Sequence, residues 1–143
     1  FIGLLLIVSD NLLAQQKQYI GSAMCGNCHT EEYSNFNAFA AKAKTFNRIG
    51  TRKDKLNDKE YSSCLKCHTT GYGMPSGFIS FEKTPDLDNV GCESCHGPGS
   101  THIESEDKND IINNPPETLC KQCHENKIII TIAKQPMKYG GAH

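Results

Sequence analysis

A single compact domain, its interior filled largely by something other than side chains, is the fold the sequence predicts, and three observations predict it. The length of 143 residues suits one domain. Only 37% of the residues are hydrophobic and 8% aromatic, with no Trp and 12 Gly, which is too little for a large side-chain core. All eight cysteines fall into one five-residue pattern: Cys25-Gly26-Asn27-Cys28-His29, Cys64-Leu65-Lys66-Cys67-His68, Cys92-Glu93-Ser94-Cys95-His96 and Cys120-Lys121-Gln122-Cys123-His124. Two cysteines spaced by two residues with a histidine directly after form the attachment site of a c-type haem, so the predicted interior is four covalently bound haem c groups.

The spacing has a physical reason. On one helical turn, positions three and four apart share a face, so both thiols reach the vinyl groups of one porphyrin edge while the imidazole turns toward the iron. Four Cys-x-x-Cys pairs can also hold zinc in two four-thiolate sites or oxidise to disulfides in an exported chain. Neither alternative asks for a histidine after every second cysteine, and the chain has only six histidines to place. The haems, as the core, leave an apoprotein that is expected to be largely unfolded.

The formal charge is −1 with a pI near 6.6, which gives no sign of nucleic-acid binding. Four haems would add about −8 through their propionates, so the finished protein is expected to be acidic. Charge is also unevenly placed. Residues 42–59 carry seven Lys and Arg against Asp54 and Asp58, whereas residues 82–110 carry eight acids, among them Glu93, against Lys83 and Lys108. Both runs read first as solvated faces, and as docking faces for redox partners by hypothesis.

Taken in order, residues 1–14 open on the apolar run Phe1-Ile2-Gly3-Leu4-Leu5-Leu6-Ile7-Val8 and reach a small residue at Ala14. That run has the size of a signal-peptide core and falls far short of the roughly 20 residues that span a bilayer. Cleavage is expected after Ala14. The expected domains are therefore a signal peptide, incomplete at its N-terminus, over 1–14 and one haem-bearing domain over 15–143. Export agrees with the motifs, because c-type attachment takes place outside the cytoplasm. The expected location is periplasmic or extracellular, with no stable membrane insertion after cleavage.

Beyond the first motif, Tyr33, Phe36, Ala40, Ala43 and Phe46 recur at helical spacing, with Glu31 and Glu32 at the start and Gly50 at the end. This predicts an amphipathic helix of about 18 residues. Residues 51–60 are charged and read as loop. Residues 69–77 are dense in turn formers and predict irregular backbone against haem. Phe78-Ile79-Ser80-Phe81 reads as a short strand and residues 84–90 as loop. Asn113-Asn114-Pro115-Pro116 predicts a turn that sets up a short helix carrying Cys120 to His124. The β-branched run 128–132 reads as buried, and residues 140–143 read as a flexible end finishing on His143.

Counting iron ligands restricts the chemistry. His29, His68, His96 and His124 give each iron one imidazole, and only His102 and His143 remain. At most two haems can then be bis-histidine from this chain alone. His102 stands six positions beyond His96 after a turn, too far round to serve that iron and well placed for an adjacent one. His143 lies at a fraying end. Met24, Met74 and Met137 read as packing residues.

Several stretches carry a family resemblance. Tyr19-Ile20-Gly21-Ser22, Cys67-His68-Thr69-Thr70-Gly71-Tyr72-Gly73, the central Gly91 to His102 stretch and the closing His143 resemble the tetrahaem cytochrome c family. The best-known member of that family takes electrons from hydroxylamine oxidoreductase in ammonia-oxidising bacteria. The resemblance implies a mainly α fold with little regular sheet, haems in stacked and roughly perpendicular pairs, and an electron-carrier role. It implies His102 as distal ligand of the first haem, His143 as that of the third, and a five-coordinate second haem. The family's usual histidine after the first motif is missing here, where the chain reads Phe39-Ala40-Ala41-Lys42-Ala43-Lys44, so the fourth haem loses its expected distal ligand.

The expected function is electron transfer through four haems between exported redox proteins. An enzyme acting on a small nitrogen oxide, hydroxylamine or peroxide at an open iron is the rival, but no acid-base constellation survives once the motif histidines are assigned. A third reading is a filament subunit, in which a neighbour's histidine completes a haem.

Overall fold

The computed structural model of the protein describes residues 16–124. Its regular structure is helical: α1 (Ser22–Cys25), α2 (Thr30–Phe39), α3 (Phe46–Gly50), α4 (Asp58–His68), α5 (Glu93–His96), α6 (Ser100–Ser105) and α7 (Glu117–Lys121), with short 3-10 turns between. Among the described residues there is no strand. The expected signal peptide 1–14, the 128–132 run, Met137 and His143 lie outside them. No described helix is long and apolar enough to cross a membrane.

The single helix expected after the first motif is broken. Glu31 and Glu32 sit in the first turn of α2, where they complement the helix dipole, and Phe36 buries its inner face. At Ala40 the backbone turns extended (φ −85°, ψ 114°) with the residue fully buried. Tertiary hydrogen bonds override the helical pattern there. Thr45 Oγ1 lies 3.0 Å from the carbonyls of both Lys42 and His68, and Asn89 Oδ1 accepts from the Phe46 N–H at 2.9 Å. The chain is thus drawn across to α4 and restarts as α3.

Residues 51–60 are not all loop, because α4 begins at Asp58. Asn57 Oδ1 accepts from the Glu60 N–H and Glu60 Oε2 from the Asn57 N–H, both at 3.0 Å, a reciprocal cap that starts the helix in the middle of the charged run. The strand expected over Phe78-Ile79-Ser80-Phe81 is absent too. The Phe78 N–H donates to Thr70 O and the Ile79 N–H to Thr84 Oγ1, single bonds that build no ladder.

Residues 69–77 are irregular as expected. The loop closes on itself at Gly77, where a Cβ would stand 1.8 Å from Gly71 O, so only glycine permits that approach. Pro116 caps α7, which carries Cys120 and ends at Lys121, leaving Cys123 and His124 in the next turn.

Side-chain cores are small. Ile49, Leu65, Phe78 and Leu87 form one cluster, bordered by Tyr19, Phe46, Tyr61 and Tyr72, and Phe36 with Ala40 forms another. Two of the residues buried most completely are polar, Thr70 and Glu93.

Candidate cofactor site

Each motif closes one helical turn. The N–H groups of His29, His96 and His124 donate to the carbonyls of Cys25, Cys92 and Cys120 at 2.9, 3.0 and 2.9 Å, and the second motif lies wholly within α4. The three side chains of each motif therefore share the geometry that the spacing predicts.

Thiols meet across motifs. The Cys25 thiol interacts directly with that of Cys92 and the Cys67 thiol with that of Cys123, while Cys95 feels Cys120 and Cys123, so the first motif lies against the third, the second against the fourth, and the third near the fourth. Contact with Cys92, then burial, pushes the Cys25 thiol up, while the same contact and the Ser22 hydroxyl bring Cys92 down. Burial, then Cys67, pushes Cys123 up to about 12. Burial also raises Cys95, against the pull of Lys42. Among the described residues no three His, Cys, Asp or Glu side chains converge as a metal cage. That arrangement does not suit a four-thiolate zinc centre.

A cavity of about 670 Å³ opens between the first and third motifs, lined by Cys25, Cys28, His29, Cys92, Cys95 and His96, with Met24, Tyr33, Phe36 and Ile103 supplying apolar surface. His102 of α6 lines it as well. The His29 and His102 ring centres are 6.3 Å apart and their planes 21° from parallel. His102 Nδ1 lies 2.9 Å from Asp107 O, and His96 Nδ1 2.7 Å from Ile112 O. A carbonyl only accepts, so both Nδ1 atoms donate, and Nε2 is the nitrogen that a neutral ring held this way offers to a metal.

These residues fit a haem. A separation of 6.3 Å between ring centres leaves room for one iron between the His29 and His102 imidazoles. The cavity volume falls within the ~300–1,000 Å³ of cofactor sites, and its walls are mainly apolar. Met74 is exposed at the surface, while Met24 borders the cavity. His68 is half-buried on α4 and His124 half-buried after α7.

Two residues around the site were not singled out from sequence. Glu93, counted there among the acids of a solvated run, is 2% exposed. Its carboxylate accepts from the N–H groups of Ile20, Gly21 and Gly99. The available signal was an acid between two motif cysteines and beside glycines, whose N–H groups no side chain shields. Thr70 Oγ1 donates to Asn89 O at 2.6 Å, accepts from the Gly91 N–H at 3.0 Å and lies 3.0 Å from Ser94 Oγ, which ties the loop after the second motif to the third.

Comparison with known proteins gives one family. The cytochrome c554 and c-prime family matches residues 24–97, just over half of the chain. Cytochrome c-554 of Nitrosomonas europaea is 30% identical over 106 residues, 65% of this chain and 44% of that protein, so the match spans less than half of the relative's length. No solved structure gives a significant match.

Proposed function

The chain belongs to the cytochrome c554 and c-prime family, and from that premise we propose that it is an exported electron-transfer protein carrying electrons through four covalently attached haem c groups. The observation that carries this reading is the opposition of His29 and His102 across a cavity bordered by motif cysteines. When bound, haem supplies one-electron redox chemistry at iron.

The chain's own residues do the rest. The cysteine pairs Cys25 and Cys28, Cys64 and Cys67, Cys92 and Cys95, and Cys120 and Cys123 would each hold one haem through thioethers. His29, His68, His96 and His124 would each supply a nitrogen ligand to iron, and His102 a second one to the group held by His29. The carbonyls of Asp107 and Ile112 hold His102 and His96 in their ligating tautomer. Contacts of the first motif with the third, and of the second and third with the fourth, would bring neighbouring groups together for electron exchange. The exposed charges on residues 51–55 and 104–109 leave faces for redox partners to dock by charge.

Spectropotentiometric titration of the purified holoprotein tests the reading. Four one-electron reductions per chain and electron exchange with a second cytochrome, without consumption of any small molecule, are expected. Steady turnover of nitric oxide, nitrite, hydroxylamine or peroxide at a rate well above that of free haem overturns the carrier reading in favour of an enzyme.

A further inference from the structure

Glu93 lies between the two cysteines of the third motif and belongs to no ligand set. Its side chain nonetheless holds the segments that lead to both opposed histidines. Oε1 accepts from the Ile20 N–H at 3.0 Å and the Gly99 N–H at 2.8 Å, and Oε2 accepts from the Ile20 N–H at 3.2 Å and the Gly21 N–H at 2.8 Å. Gly21 is the residue before α1, and its carbonyl accepts from the Met24 N–H in the turn that runs to Cys25 and on to His29. Gly99 is the residue before α6, and its carbonyl accepts from the Ile103 N–H, next to His102. The two segments are also stitched directly: Ser100 Oγ accepts from the Gln18 N–H at 2.8 Å and Gln18 O from the Ser100 N–H at 3.2 Å.

Three backbone donors, two of them buried, converging on one side chain require an acceptor-only group. A carboxylate meets that requirement and an amide does not, because its NH2 would face donors. From this geometry we infer that Glu93 is a positioning residue for the axial pair, one carboxylate that sets the separation of His29 and His102 and thereby the strength of the distal bond. The inference rests on the proposed ligation by His102.

The test compares three holoproteins, wild type, Glu93→Gln and His102→Ala, by EPR of the oxidised state and by redox titration. His102→Ala is expected to turn one low-spin signal high-spin. Glu93→Gln is expected to move the same signal, by partial conversion to high spin or altered low-spin g-values, with a shifted midpoint for that haem alone, and added imidazole should restore the low-spin signal. A Glu93→Gln protein that melts earlier but keeps the wild-type g-values, spin count and midpoints overturns the inference while leaving His102 as a ligand. A silent His102→Ala removes the ligation and the inference with it. Should Glu93→Gln fail to accumulate, Glu93→Asp, with the charge on a shorter arm, is read by the same two outcomes.

Discussion

The imidazoles of His29 and His102, 73 positions apart in the chain, stand 6.3 Å apart centre to centre with planes 21° from parallel. Near-parallel axial rings split the iron d orbitals strongly, so a haem held between them should show a well-resolved rhombic low-spin EPR signal. His102→Ala should abolish that signal and add one high-spin iron per chain. An oxidised spectrum indistinguishable from wild type would remove His102 from the coordination sphere.

Haem content gives the second prediction. Intact mass and pyridine haemochrome should count four haems per chain, and replacing both cysteines of any one motif by serine should lower the count by one. Protein made without haem attachment should give a far-UV CD spectrum of a largely unfolded chain, because the side-chain clusters around Leu65 and Phe36 are small. A helical spectrum for that protein would show that these clusters suffice.

Thr70→Val preserves shape but removes a hydroxyl that joins Asn89, Gly91 and Ser94 in a buried position. The loss should be about 1–3 kcal/mol, read as a lower denaturant midpoint of the holoprotein at unchanged slope. Equal midpoints would mean that the network adds nothing to stability.

Asn57→Ala removes the reciprocal cap with Glu60 at the start of α4, the helix that carries Cys64, Cys67 and His68. A destabilisation of about 0.5–2 kcal/mol is expected, with the haem count unchanged. Since the cap is eleven residues from His68, a change in the spin state of any haem would contradict the separation of stability from ligation at this end of the helix.

Sequence alone determined the local geometry on which haem attachment would depend. Each Cys-x-x-Cys-His segment spaces its side chains within one helical turn, and a helical turn is local enough to be read without a fold: all four motifs close that turn. The irregular loop over 69–77 and the helix start at Pro116 were legible for the same reason, since glycine and proline act on their own backbone. The cap of Asn57 and Glu60 was equally local and went unread within a charged run. The approach of His102 to His29 was implied by the family resemblance, whereas only the tertiary structure decided the break at Ala40, the loss of the strand at Phe78, the burial of Glu93 and the contact of the first motif with the third. Each depends on partners dozens of residues away, such as Asn89 for Phe46, Ile20 and Gly21 for Glu93, and Cys92 for Cys25, and no local pattern encodes which distant donor will meet which acceptor.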